Sequence, residues 1–255
     1  MKHLPNLLTL ANLFCGCIAI AYILNAQPFL TDEQHWVVCT TPEAYWGSIF
    51  IGVAAIFDML DGSVARLLKV HSPIGKDLDS LADLVSFGVA PAMILFQMLW
   101  GAWMNQHNAL DVSMVAMAPA FLVACFAAIR LAKYNISADG QRGSFRGMPV
   151  PAVGIFVASL PLINWYDPYH ISAMIQGKWT IYIIIAVLCW LMVSGIRFIK
   201  LMPAKWNIAH TWPQLIIVIA AVAAFPFIKF AAIPVAFILY IILSIVYKYP
   251  NPESK

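Results

Sequence analysis

The chain has 255 residues, of which 62% are hydrophobic and only 11% charged. A soluble domain carries about 25% charged residues, so a water-soluble layered architecture is excluded and an integral membrane protein is expected. The formal net charge of +3 argues little by itself, and the useful information lies in where the charges sit.

Taken in order, the sequence predicts an all-α, polytopic transmembrane helix bundle of about eight spans, since a span needs roughly 20 apolar residues. The runs cover 6–25, 44–69, 76–103, 112–134, 149–166, 179–200, 212–229 and 231–248. The fifth is short and opens with two prolines, and the last two are separated only near Phe230, which leaves seven spans as an alternative. The N-terminal run resembles a signal peptide, but no small-residue cleavage site is evident, so a retained first helix is expected. The five cysteines (Cys15, Cys17, Cys39, Cys125, Cys189) lack CxxC spacing and read as small hydrophobes rather than metal or redox groups. No soluble domain or internal repeat is apparent, and 249–255 reads as a tail.

Cytoplasmic loops collect Lys and Arg. With the N-terminus inside, every Lys and Arg falls on the inner face except Lys178 and Lys229. This predicts a multi-pass protein of the cytoplasmic membrane, with both termini and the 70–75 loop facing the cytoplasm.

The second and third spans carry Asp58-Met59-Leu60-Asp61-Gly62-Ser63-Val64-Ala65-Arg66, then eight residues, then Gly75-Lys76-Asp77-Leu78-Asp79-Ser80-Leu81-Ala82-Asp83. A carboxylate at the centre of a membrane helix costs about 2.5–3.5 kcal/mol on insertion scales, which makes it a functional candidate by default. At about 100° per residue, Asp58, Asp61, Gly62 and Ala65 share one helix face, and Gly75, Asp79 and Asp83 share another. Asp77 points nearly opposite to Asp79 and belongs to the first turns of its helix, where a carboxylate favours the positive dipole end. Ser72-Pro73 reads as a cap and first helical residue. Two antiparallel helices joined there would bring the four carboxylates to one level. Four negative charges at one level repel, and two divalent cations would balance them. An all-oxygen donor set suits Mg²⁺, Mn²⁺ or Ca²⁺ rather than zinc. Gly62, Gly75 and Ala65 leave room for a ligand, although small residues also line packed membrane helices. Arg66 suits a phosphate. Cations bridging phosphate oxygens beside a carboxylate able to take a proton are the parts of a phosphoryl-type displacement.

The complete pattern D-x-x-D-G-x-x-A-R-x8-G-x-x-x-D-x-x-x-D resembles the signature of the CDP-alcohol phosphotransferase family. The resemblance implies a six-helix catalytic core over 1–200, additional membrane helices over 201–248, and displacement of CMP from a CDP-linked lipid or alcohol. It implies Asp58, Asp61, Asp79 and Asp83 as ligands of two divalent cations, Mg²⁺ or Mn²⁺, with Ca²⁺ as a non-productive substitute. Asp83 would also be the general base. Asn6 and Thr9, in a Pro-Asn-x-x-Thr stretch, and Gly62, Ala65, Arg66 and Gly75 would border the cytidine diphosphate. Homodimers are usual in the family.

Three further segments, Ser86-Phe87-Gly88-Val89-Ala90-Pro91, Arg130-Leu131-Ala132-Lys133-Tyr134-Asn135 and Phe145-Arg146-Gly147-Met148-Pro149-Val150-Pro151, resemble the membrane-embedded branch of phosphatidylserine synthases. That branch implies CDP-diacylglycerol and L-serine as substrates, phosphatidylserine and CMP as products, membrane lipids as surroundings and no nucleic-acid partner. Serine brings a carboxylate that a cation should meet, and Ser86, Arg130, Lys133, Arg142 and Arg146 are the candidates. Glycerol 3-phosphate or an inositol phosphate would also suit a basic loop. A cation transporter, with the aspartates as its ion path, is the reading of a different class, but it has no use for the Gly/Ala/Arg pattern. A phospholipase-D-like route needs H-x-K, and none of His3, His35, His71, His107, His170 and His210 begins one.

Overall fold

A computed structural model describes residues 4–26, 29–30, 36–37, 42–68, 73–105, 112–140, 147–167, 171–199 and 208–246. Arg142, Arg146, His71 and Ser72 lie outside the described residues. The chain is built from helices α1 (Leu4–Asn25), α2 (Pro42–Leu68), α3 (Pro73–Asp83), α4 (Ala90–Met104), α5 (Leu122–Gly140), α6 (Val150–Tyr166), α7 (Ser172–Ile175), α8 (Lys178–Val193), α9 (Ile208–Ile228) and α10 (Ala232–Val246). Among the described residues, strand structure is confined to Phe29–Leu30 paired antiparallel with Trp36–Val37.

Among the described residues, five stretches are long and apolar enough to cross a membrane: Leu4–Asn25, Pro42–Leu68, Ile74–Met104, Met114–Ile136 and Trp212–Val246. Val150–Tyr166 and Lys178–Val193 are shorter apolar helices. The Trp212–Val246 stretch is not one rod. A 3₁₀ turn at Lys229–Ala231 breaks it, with Lys229 at φ 47°. Beyond the break, Phe230 meets Tyr166 with ring centroids 5.4 Å apart and Phe237 meets Phe156 at 4.4 Å. Helix α10 therefore runs back antiparallel to α6, and the architecture is an all-α polytopic helix bundle. The chain is a multi-pass membrane protein.

The third and fourth spans depart from plain α-helix. Between α3 and α4, Leu84–Val89 winds as a π-helix, and it opens directly after Asp83. Pro91 has no N–H to give to the preceding turn, a physical reason for the irregularity there. The fourth span begins with 3₁₀ turns at Met114–Ala116 and Ala118–Phe121 before α5 starts.

The packing that positions the site involves α1, α2, α3–α4, α5 and α6. Glycine permits the closest approaches. A Cβ on Gly47 would lie 2.7 Å from Ile23, so α2 rests directly on α1. A Cβ on Gly154 would lie 2.9 Å from Phe87, so α6 rests on the π turn. Such small-residue contacts drive helix association where lipid tails leave no hydrophobic incentive. Phe87, Leu95 and Leu99 are fully buried in the resulting core. Gly147, at φ 85°, lets its own N–H reach Ile196 O at 2.9 Å while Met148 N–H reaches Leu191 O at 3.0 Å, tying the start of α6 to the end of α8.

Candidate active site

Helices α2 and α3 both pack on α1, and each carries two of the four acids. Asp58, Asp61 and Asp79 each direct a carboxylate oxygen into one cluster, with the three atoms all within 4.8 Å of one another. Oxygens on opposite sides of one divalent ion stand apart by about twice the metal–oxygen distance, roughly 4–5 Å. The donor set and its spacing thus fit a hard divalent cation. Asp83, one helical turn beyond Asp79, brings its carboxyl against that of Asp58. Asp61 and Asp83 are buried, and Asp58 and Asp79 are half-buried. Asp77 is exposed and stands apart, as its position on the helix dictates.

Helix α1 braces the cluster. Thr9 Oγ1 donates to Asp61 Oδ2 at 2.6 Å, and Asn12 Nδ2 donates to Asp83 Oδ1 at 3.3 Å. Thr9 and Asn12 are three residues apart on one helix face, so a single face of α1 contacts one acid from each of the two acid-bearing helices. Thr9 was expected beside the nucleotide; in this structure its hydroxyl meets a carboxylate. Asn6 lies half-buried one turn earlier.

The small residues of the pattern do not all do the same thing. A Cβ on Gly62 would find no heavy atom within 4 Å, so the space above Gly62 is open and is not a helix contact. Ala65 and Gly75 are half-buried. Arg66 is exposed at the last turn of α2, with Nε donating to Gly62 O at 3.0 Å. This bond folds the Arg66 side chain back along its own helix.

Among the described basic residues, Arg130 is buried and interacts electrostatically with Asp83. Asn135 Nδ2 donates to Ser80 Oγ at 2.8 Å, and Lys76 Nζ donates to Asn135 O at 3.0 Å. Further along the same antiparallel pair, a Cβ on Gly88 would lie 3.2 Å from Ala127. Between these two contacts Arg130 stands level with the end of α3, where it is close enough to interact electrostatically with Asp83. It is 9% exposed, and its guanidinium lies 5.5 Å from the centroid of the Tyr134 ring. Lys133 is exposed. Ser86 is fully buried and its hydroxyl donates to Asn12 O at 3.1 Å, so it is engaged with the backbone of α1.

Two features escaped the sequence reading. One is the π turn after Asp83, for which Pro91 was the available signal. The other is Asn12, which no local pattern marks.

The sequence model of the CDP-alcohol phosphatidyltransferase family matches residues 2–190. A Helicobacter pylori protein named CDP-diacylglycerol–serine O-phosphatidyltransferase is 31% identical over 244 residues, covering 95% of this chain and 89% of that protein. A Bacillus subtilis protein of the same name is 29% identical over 198 residues, covering 78% of this chain and 90% of that one. One from Saccharomyces cerevisiae is 37% identical over 157 residues, covering 58% of this chain and 50% of its own length. The chain belongs to the CDP-alcohol phosphatidyltransferase family.

Proposed function

We propose that this member of the CDP-alcohol phosphatidyltransferase family transfers the phosphatidyl group of CDP-diacylglycerol to L-serine, releasing phosphatidylserine and CMP. The observation that carries the chemistry is the convergence of Asp58, Asp61 and Asp79 oxygens within 4.8 Å, with Asp83 beside them. The serine acceptor is supported by the names of the curated relatives and by a buried guanidinium, that of Arg130, near the proposed base.

Asp58, Asp61, Asp79 and Asp83 would hold two divalent cations, Mg²⁺ or Mn²⁺, with Ca²⁺ a non-productive replacement. Such ions, when bound, neutralise a diphosphate and make CMP a better leaving group. The chain's own residues do the rest. The open space at Gly62, with Ala65 and Gly75 nearby, admits the cytidine diphosphate without a steric clash, and Arg66, Asn6 and Thr9 border it. The acyl chains stay among the membrane-facing helices. Arg130 pairs with the serine carboxylate, for which a guanidinium offers a matched fork of donors. Lys133, Arg142 and Arg146 add positive charge around the acceptor. Asp83 takes the proton of the serine hydroxyl, the serine oxygen forms the new bond to the phosphorus that carries diacylglycerol, and the bond to CMP breaks with its electron pair leaving on CMP. A single in-line displacement inverts the phosphorus.

The family match over 2–190 supports a catalytic core over 1–200, with 201–248 as added helices. The distribution of Lys and Arg supports an active site and termini facing the cytoplasm. Family resemblance supports a homodimer.

The deciding experiment is an acceptor panel. Purified protein in detergent receives CDP-diacylglycerol, Mn²⁺ or Mg²⁺, and labelled serine, glycerol 3-phosphate or inositol phosphate. Labelled phosphatidylserine with stoichiometric CMP is the expected result. CMP release with a different acceptor only would reassign the acceptor. Uptake of Mn²⁺ into liposomes without CMP release would replace the enzyme with a transporter.

A further inference from the structure

The reading of Asp83 as base leaves open what keeps its carboxyl in place, and one side chain answers to that description. Asn12 is fully buried in the middle of α1. Its Nδ2 donates to Asp83 Oδ1 at 3.3 Å, while its Oδ1 is buried with no hydrogen-bond partner among the described residues. An amide has two donors on nitrogen and an acceptor on oxygen, so only the nitrogen can meet a carboxylate favourably. A buried amide left with an unpaired acceptor is a costly arrangement, and its orientation here is dictated by Asp83 alone.

The backbone beneath Asn12 is fixed by the residues that follow Asp83. Ser86 Oγ donates to Asn12 O at 3.1 Å, and Ser86 belongs to the π turn that opens immediately after Asp83. One turn further along α1, a Cβ on Gly16 would lie 2.3 Å from Ser86 Oγ and 2.9 Å from Ser86 Cα. Helix α1 and the π turn are therefore in direct contact, with no slack for either to shift. Asn12 is thus held by the turn that directly follows the acid it contacts.

We propose that Asn12 is a positioning residue for the transfer reaction. Its amide fixes one oxygen of the Asp83 carboxyl, and hence the plane of that carboxyl, so that the acid meets the incoming hydroxyl in the orientation that proton transfer needs. Ser86 serves the amide in turn by anchoring the α1 backbone. This deepens the reading of Asp83 as general base and rests on it. It also moves Ser86 from the acceptor pocket to the support behind the base.

The test separates holding the base from binding substrate, metal or fold. Asn12→Ala and Ser86→Ala are purified in parallel with the wild type, folded protein is counted by its monodisperse fraction in detergent and by thermal unfolding, Mn²⁺ binding is titrated separately, and CMP release is followed with serine and with glycerol 3-phosphate. Asn12→Ala is expected to lower kcat per site by about 10–100-fold, a fraction of the 10²–10⁴ that a positioned base supplies. The KM for CDP-diacylglycerol should stay within about twofold and Mn²⁺ affinity within about threefold, since neither contact is removed. Ser86→Ala keeps the amide and loses only its anchor, so a smaller fall in kcat with the same unchanged KM is expected, and it keeps the question answerable if Asn12→Ala fails to fold. Unchanged kcat in both variants overturns the proposal. So does a rise in KM with kcat retained, which would place Asn12 on the nucleotide, or a loss of Mn²⁺ binding, which would place it in the metal site. A wild type that releases CMP with glycerol 3-phosphate but not with serine corrects the acceptor and leaves the Asn12 comparison intact.

Discussion

The two ends of this bundle treat charge in opposite ways. At the loop between α2 and α3, four carboxylates are drawn together, and their described side-chain partners are a threonine hydroxyl and an asparagine amide. At the other end, each of two lysines lies on an aromatic face. Lys178 Nζ is 4.1 Å from the centroid of Trp103, and Lys229 Nζ is 4.7 Å from that of Tyr166. Trp103 is itself held, its Nε1 donating to Tyr182 Oη at 3.1 Å while Tyr182 donates to Ala116 O at 2.6 Å. The lysine end is internally satisfied and reads as an interfacial anchor. Among the described residues one buried guanidinium, that of Arg130, interacts with Asp83 and offsets only part of the repulsion among four acids, which suits a site that receives cations. Substitutions at the acid end should therefore change chemistry with little change in stability, and those at the lysine end the reverse.

The largest effect is expected for Asp79→Asn. It keeps the shape of a residue in the three-acid cluster and removes its charge. CMP release should fall by at least about 10²–10³-fold, the range seen when one preorganised electrostatic group is lost at a reacting centre. Thermal stability in detergent should hold or rise slightly, because a like-charge contact is relieved. Retained turnover with intact Mn²⁺ binding would break the comparison at its strongest point.

Next in size is Arg130→Gln. A hydrogen bond to a charged group is worth about 1.5–3 kcal/mol, so the KM for serine should rise by roughly 10–100-fold. The KM for CDP-diacylglycerol should move much less. Equal changes in both constants would mean that Arg130 supports the diphosphate, not the acceptor.

The polytopic helix bundle and the convergence of the aspartates were legible in the sequence because each rests on local periodicity. A run of apolar residues sets a span, and a spacing of three or four sets a helix face. The support behind the acids was not legible, for a plain reason. Thr9 and Asp61 are 52 positions apart, and Asn12 and Asp83 are 71 apart, so no local pattern links them. The glycines divide in the same way. Sequence could say that Gly16 and Gly62 lack a side chain, but not which faced a neighbour. Gly16 is pressed onto Ser86, whereas Gly62 faces open space.

That division gives a paired prediction of intermediate size. Gly62→Leu should fold normally yet raise the KM for CDP-diacylglycerol about tenfold, because the side chain fills space meant for ligand. Gly16→Val should destabilise the bundle by about 1–3 kcal/mol, the usual cost of forcing atoms into a packed interior. Thermal unfolding and steady-state kinetics on both variants decide the matter. If Gly62→Leu melts early while Gly16→Val does not, the open space and the close contact have been exchanged.

The smallest effect probes the lysine end. Lys229 is a non-glycine residue in the left-handed region, at φ 47°. A left-handed conformation costs an ordinary residue about 1–2 kcal/mol, while a cation over an aromatic ring returns about 0.5–1 kcal/mol at an exposed site. Lys229→Ala removes the ring contact and keeps the strained backbone, so it should lower stability by about 0.5–1 kcal/mol. Lys229→Gly also loses the contact but relieves the backbone, and the added freedom of its unfolded chain takes back part of that gain. The glycine variant should thus melt close to the wild type and above the alanine variant, with CMP release unchanged in both. The order matters more than the size. If alanine melts above glycine, the turn between α9 and α10 does not hold Lys229 in the left-handed region, and the hairpin is set by the packing of Phe230 and Phe237 on α6 instead.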